Sequence, residues 1–210
     1  MGTLSTDFYE RPVLEVARAL IGCTLSHGAT SGEIVETEAY HDSEPASHAF
    51  IGLTPRTATL FGEPGRAYVY RSYGIHALFN AVCEPPGVGA AVLIRALAPL
   101  SGIELMRRRR AAAAPGRRPA ARRLGEHELC SGPGRLTQAL DIELDLNGSS
   151  LAAGPVRVGP RTREWREGEI QAGPRVGITK AVELPWRFWA TGDPNVSAPR
   201  PPGARVSPRR

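Results

Sequence analysis

The densest run of ionisable side chains is Glu36-Thr37-Glu38-Ala39-Tyr40-His41-Asp42-Ser43-Glu44-Pro45-Ala46-Ser47-His48, with four carboxylates, two imidazoles and a phenol. In an extended strand side chains alternate, so Glu36, Glu38 and Tyr40 share one face. Successive carboxylate positions then lie roughly 7 Å apart, close enough to shift each other's pKa and bracket a reacting group. Paired glutamates also decorate solvated strand edges, and the strand alone favours that plainer reading. A metal site is a second alternative, with His41, Asp42, Glu44 and His48 as ligands. It lacks the H-x-x-x-H, H-E-x-x-H or C-x-x-C spacing of common metal motifs. The tyrosines form another group. Tyr68 and Tyr70 share a strand face and Tyr73 precedes Gly74 at a turn, where an exposed aromatic could stack on a base or wedge into a duplex. For Tyr68 a core position is expected.

These groups must be positioned by short elements. Residues 12–25 read as a helix ending at Gly22, then a strand; Ser31–Tyr40 reads as a strand. Arg66–His76 reads as a hairpin turning near Gly74, and Ala90–Ala96 as an apolar strand that reaches Arg95. A short helix is expected over Ser101–Arg110. The sequence Ser131-Gly132-Pro133-Gly134 should turn into a helix ending near Leu140, with late strands over 175–179 and 187–191. The arginine-, alanine- and proline-rich stretch 107–123 reads as a flexible loop, and the proline-rich tail 194–210 as disordered. Residues 1–193 then form one domain, a size that can bury a continuous core. Many turns and an antiparallel hairpin predict a single mixed α+β domain around a curved, mainly antiparallel sheet with a protruding hairpin.

Formal net charge is +5, unevenly spread. Eight arginines lie in 107–123 and four in 198–210, with no acid in either stretch, so the remainder is acidic overall. Attraction to phosphate must then come from flexible arms or from a local patch. The three cysteines, Cys23, Cys83 and Cys130, are widely separated and are expected as buried free thiols. No export signal or membrane span is legible, so a cytoplasmic protein is expected, nucleoid-associated if prokaryotic. Lys180 is the only lysine.

The ordered set Glu36-Thr37-Glu38-Ala39-Tyr40, Thr54-Pro55-Arg56, Tyr68-Val69-Tyr70 with Tyr73-Gly74, Asn80, Val92-Leu93-Ile94-Arg95-Ala96-Leu97, Leu129-Cys130-Ser131-Gly132-Pro133 and Arg175-Val176-Gly177 resembles the alkyladenine (3-methyladenine) DNA glycosylases. The resemblance runs over most of the chain. It implies excision of alkylated or deaminated purines, of the 3-methyladenine, 7-methylguanine, hypoxanthine and ethenoadenine class, from duplex DNA. Glu38 would be the general base, with Arg95 and the Val176 carbonyl helping to hold the attacking water. Tyr40, His48 and Tyr70 would form an aromatic pocket for the flipped base. Asn80 would select among purines at the pocket wall, Leu93 would line it near the sugar, and Tyr73 would be the intercalating wedge. His76 stands where some relatives have a phenol, and 107–123 has no motif to map onto.

No cofactor or metal is implied, and a monomer is expected. Lys180 maps to no catalytic position, and a glycosylase that also nicks the strand needs an amine nucleophile. Base removal without strand scission is therefore expected. The rival classes are a non-catalytic nucleic-acid binding module, using the arginines for phosphates and the tyrosines for stacking, and a metal-dependent hydrolase.

Overall fold

A computed structural model of the chain describes residues 2–72, 74–112, 123–166 and 168–199. Eight antiparallel strands make one curled sheet: β1 (Thr24–His27), β2 (Thr30–His41), β3 (Ala67–Ser72), β4 (His76–Val82), β5 (Ala90–Ser101), β6 (Val156–Gly159), β7 (Ile170–Gly173) and β8 (Arg187–Ala190). The main order is β3-β4-β5-β2-β1-β6, and β8 pairs with both β2 and β7. Among the described residues five α-helices pack around it: α1 (Thr6–Tyr9), α2 (Val13–Leu20), α3 (Ile103–Ala112), α4 (Glu126–Leu129) and α5 (Pro133–Leu140). The mixed α+β class with a curved antiparallel sheet and a β3–β4 hairpin is the expected one.

One face of the sheet carries the hydrophobic core. Helix α2 has apolar residues at helical spacing and buries Val13, Val16, Ala17 and Leu20. They pack with Ile34, Val35, Ala39, Val92, Ile94 and Phe79. Thr37 faces the same way, its hydroxyl donating to the Ala17 carbonyl at 2.8 Å. All three cysteines are buried and free, as expected.

The opposite face carries the polar residues, and two bulges at the β2–β5 centre set their direction. Ile34 opposes Leu97 and Glu36 opposes Ala96, so Val35 is an extra residue on β2. Glu36 opposes Ala96 and Thr37 opposes Ile94, so Arg95 is an extra residue on β5. Bulges re-aim side chains and recur beside active sites. Here the first lets Ile34 and Val35 both enter the core, and the second frees Arg95 to turn toward the glutamates.

Three expectations need correction. Arg107–Arg110 belong to α3, and Arg107 and Arg109 are anchored there, Arg107 Nε donating to the Leu124 carbonyl at 3.0 Å and Arg109 Nη2 lying 3.2 Å from Asp141. The rest of the arginine-rich stretch, 113–122, lies outside the described residues. Residues 175–179 form a loop, not a strand, because their polar groups bond to Glu38 and Glu44 instead of a ladder. Residues 194–199 pack rather than hang free: Asn195, Val196 and Ser197 are buried, held by the Glu36 and Arg187 side chains. The expected disorder of 200–210 falls outside the described residues. Strands β6 and β7 were not legible as strands, being four residues each, with Val156 and Val158 buried in β6 and Ile170 the one buried side chain of β7. No helix among the described residues is long and apolar enough to cross a membrane.

Candidate active site

Glu36 and Glu38 are both fully buried, which overturns the solvated-edge reading. The two carboxylates also part company. Glu38 Oε2 accepts from the Tyr40 hydroxyl at 2.9 Å and from Arg95 Nη1 at 3.0 Å, and Oε1 accepts the Val176 N–H at 2.7 Å. A carboxylate oxygen has two lone pairs, so Oε1 keeps one for a further donor. Burial pushes the Glu38 carboxyl above its usual range and Glu36 adds to the rise, while Arg95, the Val176 N–H and Tyr40 oppose it. Glu36 lies behind Arg95, not beside it at the cleft. It accepts from Arg95 Nε at 2.9 Å, Arg187 Nε at 2.7 Å, and the Ser197 N–H and hydroxyl at 2.7 and 3.0 Å. The pair therefore does not bracket a reacting group.

In front of Glu38 opens a cleft of about 1210 Å³. Tyr40, His48, Tyr68, Tyr70, Asn80, Leu93, Arg95 and Val176 all line it. Every described residue expected at the site thus converges on one place: Glu38 sits in the wall behind Tyr40, Arg95 and Val176, and the others face the space. Tyr73, the expected wedge, lies outside the described residues. Its neighbours form the hairpin, with Ser72 opposite His76, and Gly74 has φ +71°, a left-handed conformation that glycine adopts without strain.

The aromatic wall is built by strand alternation. Tyr68 and Tyr70 stack with centroids 5.3 Å apart, and His48 meets Tyr70 edge-on at 4.6 Å. His48 Nδ1 lies 3.2 Å from the Tyr68 hydroxyl. Burial, then the nearby Arg56 charge, lower the His48 pKa, which favours the neutral ring. Tyr68 is buried as expected but also lines the cleft. Asn80 donates its side-chain amide to the Tyr68 carbonyl at 3.0 Å, fixing its orientation at the wall.

Behind Tyr40 lies a feature whose role the motif did not show. Arg175 grips Glu44 through two bonds of 2.6 and 2.9 Å and donates to the Ala39 carbonyl at 2.9 Å. Its guanidinium lies 4.7 Å from the centre of the Tyr40 ring. The motif Arg175-Val176-Gly177 includes this arginine, but it does not show the pairing with Glu44. Arg187 and Ser197 were missed entirely, since neither belongs to a motif. The candidate metal ligands serve other ends: Glu44 holds Arg175, Asp42 accepts the Gly89 N–H at 2.9 Å, His41 Nδ1 pairs with Ser43 at 2.7 Å, and His48 meets Tyr68. Among the described residues no three His, Cys, Asp or Glu side chains gather where a metal could bind.

The cleft also answers the question of charge. Its described lining contains Arg56, Arg71, Arg95, Arg107, Arg110, Arg123 and Arg135 and no acidic residue. A patch that the total charge conceals therefore runs along α3, α5 and the hairpin.

The family profile of methylpurine-DNA glycosylase (MPG) matches residues 7–194. The chain belongs to this family. It is a DNA glycosylase, a hydrolase of N-glycosyl bonds. A Rhodopseudomonas palustris (strain BisB18) protein named "Putative 3-methyladenine DNA glycosylase" is 50% identical over 196 residues, 93% of this chain and 91% of its own length. Proteins of the same name from Bradyrhizobium diazoefficiens and Frankia casuarinae are 49% and 46% identical, over 94% and 93% of this chain and 92% of their own lengths in both cases. The arginines that leave the glycosylase cleft free of acid, and the glutamate in its wall, belong to this shared length.

Proposed function

We propose that this glycosylase removes alkylated and deaminated purines flipped out of duplex DNA, by water that Glu38 activates. The observation that carries the reading is a buried carboxylate with one unused lone pair, held in the wall of an aromatic, arginine-rimmed cleft. Cleavage develops an oxocarbenium-like sugar, so a carboxylate both deprotonates the water and stabilises the nearby positive charge. Arg95 and the Val176 carbonyl help to hold that water, while the Val176 N–H keeps Glu38 in place.

The flipped purine stacks between Tyr40 and His48 with Tyr70 closing the pocket. Such stacking contributes on the order of 1–3 kcal/mol per base. A neutral His48 suits this role, because an imidazolium would repel the cationic ring of an alkylated purine. Asn80 selects among purines, Leu93 packs near the sugar, and Tyr73 fills the gap left in the duplex. An alkylated purine leaves as a neutral base without protonation, whereas hypoxanthine requires an acid. The enzyme acts as a monomer in the cytoplasm and needs no cofactor, and Lys180, exposed and outside the cleft lining, forms no Schiff base.

The test is chromatography of bases released from methylated duplex DNA, with the strands resolved on a denaturing gel and borohydride present in a parallel reaction. Free 3-methyladenine with intact strands and no trapped adduct is expected. A borohydride-trapped covalent complex, or bound DNA with no released base of any lesion class, would overturn the reading.

A further inference from the structure

All three nitrogens of the Arg95 guanidinium have their own acceptor. Nε donates to Glu36 at 2.9 Å, Nη1 to Glu38 at 3.0 Å and Nη2 to the Ser197 hydroxyl at 3.2 Å. A planar guanidinium held at three points has no freedom to rotate or slide. Two of those points are not part of the cleft chemistry described above. The Ser197 hydroxyl has one proton, which it gives to Glu36 Oε1 at 3.0 Å, so a lone pair is left to accept from Arg95. The Ser197 N–H donates to the other oxygen of Glu36 at 2.7 Å. Arg187 completes the frame, its Nε on Glu36 at 2.7 Å and its Nη2 on the Ser197 and Pro199 carbonyls at 3.2 Å each.

We propose that Glu36 and Ser197 are positioning residues that hold Arg95 on Glu38, so that the packed segment 195–199, far in sequence from β2 and β5, completes the reaction centre. The inference rests on Glu38 being the base. Two carboxylates and two guanidinium groups balance in charge within the sheet. Buried ion pairs of this kind add little to stability compared with apolar packing, whereas a displacement of about 1 Å in a reaction centre costs about a hundredfold in rate. The two β-bulges serve the same end, since a regular ladder would not place Arg95 opposite both glutamates.

The readout is the pH dependence of single-turnover excision, measured with lesion-duplex affinity and unfolding stability for wild type, Ser197→Ala, Ser197→Thr, Glu36→Gln and Glu38→Gln. The charged and titratable groups around Glu38 are Arg95 from β5, Glu36 and Tyr40 from β2, and Tyr70 from β3. Arg187 on β8 lies opposite Glu38 in the β2–β8 ladder, and its side chain bonds Glu36. A base must be ionised, so the acid limb of the profile follows Glu38. If Arg95 loosens, Glu38 loses its main opposing cation and the limb moves to higher pH. Loss of the Glu36 charge by itself would move the limb to lower pH, because that charge raises the Glu38 pKa. Opposite signs thus separate positioning from simple electrostatics.

We expect Ser197→Ala and Glu36→Gln to slow excision by about tenfold or more, to shift the acid limb upward and to leave affinity within about twofold. Ser197→Thr, which keeps the hydroxyl, restores the wild-type profile. An unmoved limb in Ser197→Ala, or a limb moved downward in Glu36→Gln, would overturn the proposal. Should Glu36→Gln fail to fold, the uncharged Ser197→Ala and Ser197→Thr pair decides. Glu38→Gln inactive with Ser197→Ala like wild type overturns this inference alone, and Glu38→Gln fully active overturns the role of Glu38 with it.

Discussion

Two groups of arginines, one in and behind the wall of the cleft and one on its rim, are built differently. Arg95, Arg175 and Arg187 are buried and each is bound to a glutamate on β2 or in the loop after it. Arg71 and Arg135 are exposed on the rim, at the hairpin and α5, and Arg123, also exposed, is paired with Glu104. A buried, multiply bonded charge cannot move, so it supplies a fixed field and a fixed geometry. An exposed charge is screened within about 10 Å at 0.1 M salt, so it serves to gather phosphate. Under the proposed function, the same residue type therefore supports chemistry in the wall and affinity on the rim.

The comparison breaks most visibly at Arg175. Arg175→Met leaves the Glu44 carboxylate buried and uncompensated, and the unfolding free energy should fall by about 3–5 kcal/mol in a urea titration. A change within about 0.5 kcal/mol, the range of ordinary surface substitutions, would mean that the inner group is no more fixed than the rim. Under the proposed function Tyr40 passes that rigidity to the flipped base, since its ring lies on Arg175 and its hydroxyl on Glu38. Tyr40→Leu should weaken lesion-duplex binding by about 1–3 kcal/mol, measured against an undamaged duplex that loses nothing.

The acid limb sharpens the contrast. Burial raises the Glu38 pKa and Arg95 is the largest influence opposing it, so with Glu38 as the base single-turnover excision should rise with pH through a pKa above the usual carboxylate range. Arg95→Met should move that limb further up, and a rim variant should leave it in place. The smallest effect is expected at the rim itself. Arg135→Ala should leave stability within about 0.5 kcal/mol and reduce the slope of log affinity against log salt by roughly 0.9 if it neutralises one phosphate. An unchanged slope would remove Arg135 from the DNA surface.

Residues whose roles depend on alternation or motif are legible in the amino-acid sequence. Glu36, Glu38 and Tyr40 lie on one face because a strand has a period of two, and the same rule brings Tyr68 and Tyr70 together. The resemblance to a glycosylase family assigns the roles that spacing leaves open. What stays hidden depends on contacts between distant segments. Periodicity cannot show a bulge, so the turn of Arg95 toward both glutamates is invisible to it. Ser197 lies in a proline-rich stretch that reads as disordered, yet its hydroxyl and N–H meet a buried carboxylate 161 residues away. Arg107–Arg110 look like the start of a low-complexity arm, but Arg107 and Arg109 find acceptors on α4, α5 and the intervening chain. Composition alone misjudges such segments because one good set of partners outweighs weak local preference.

The most direct test is single-turnover excision from a duplex bearing one hypoxanthine or ethenoadenine, comparing wild type with Glu38→Gln and measuring the affinity of both. The account predicts a fall of about 10²–10⁴-fold in the rate of base release, with binding of the lesion duplex retained. A Glu38→Gln enzyme that releases base within about twofold of the wild-type rate would show that the chemistry does not run through this carboxylate.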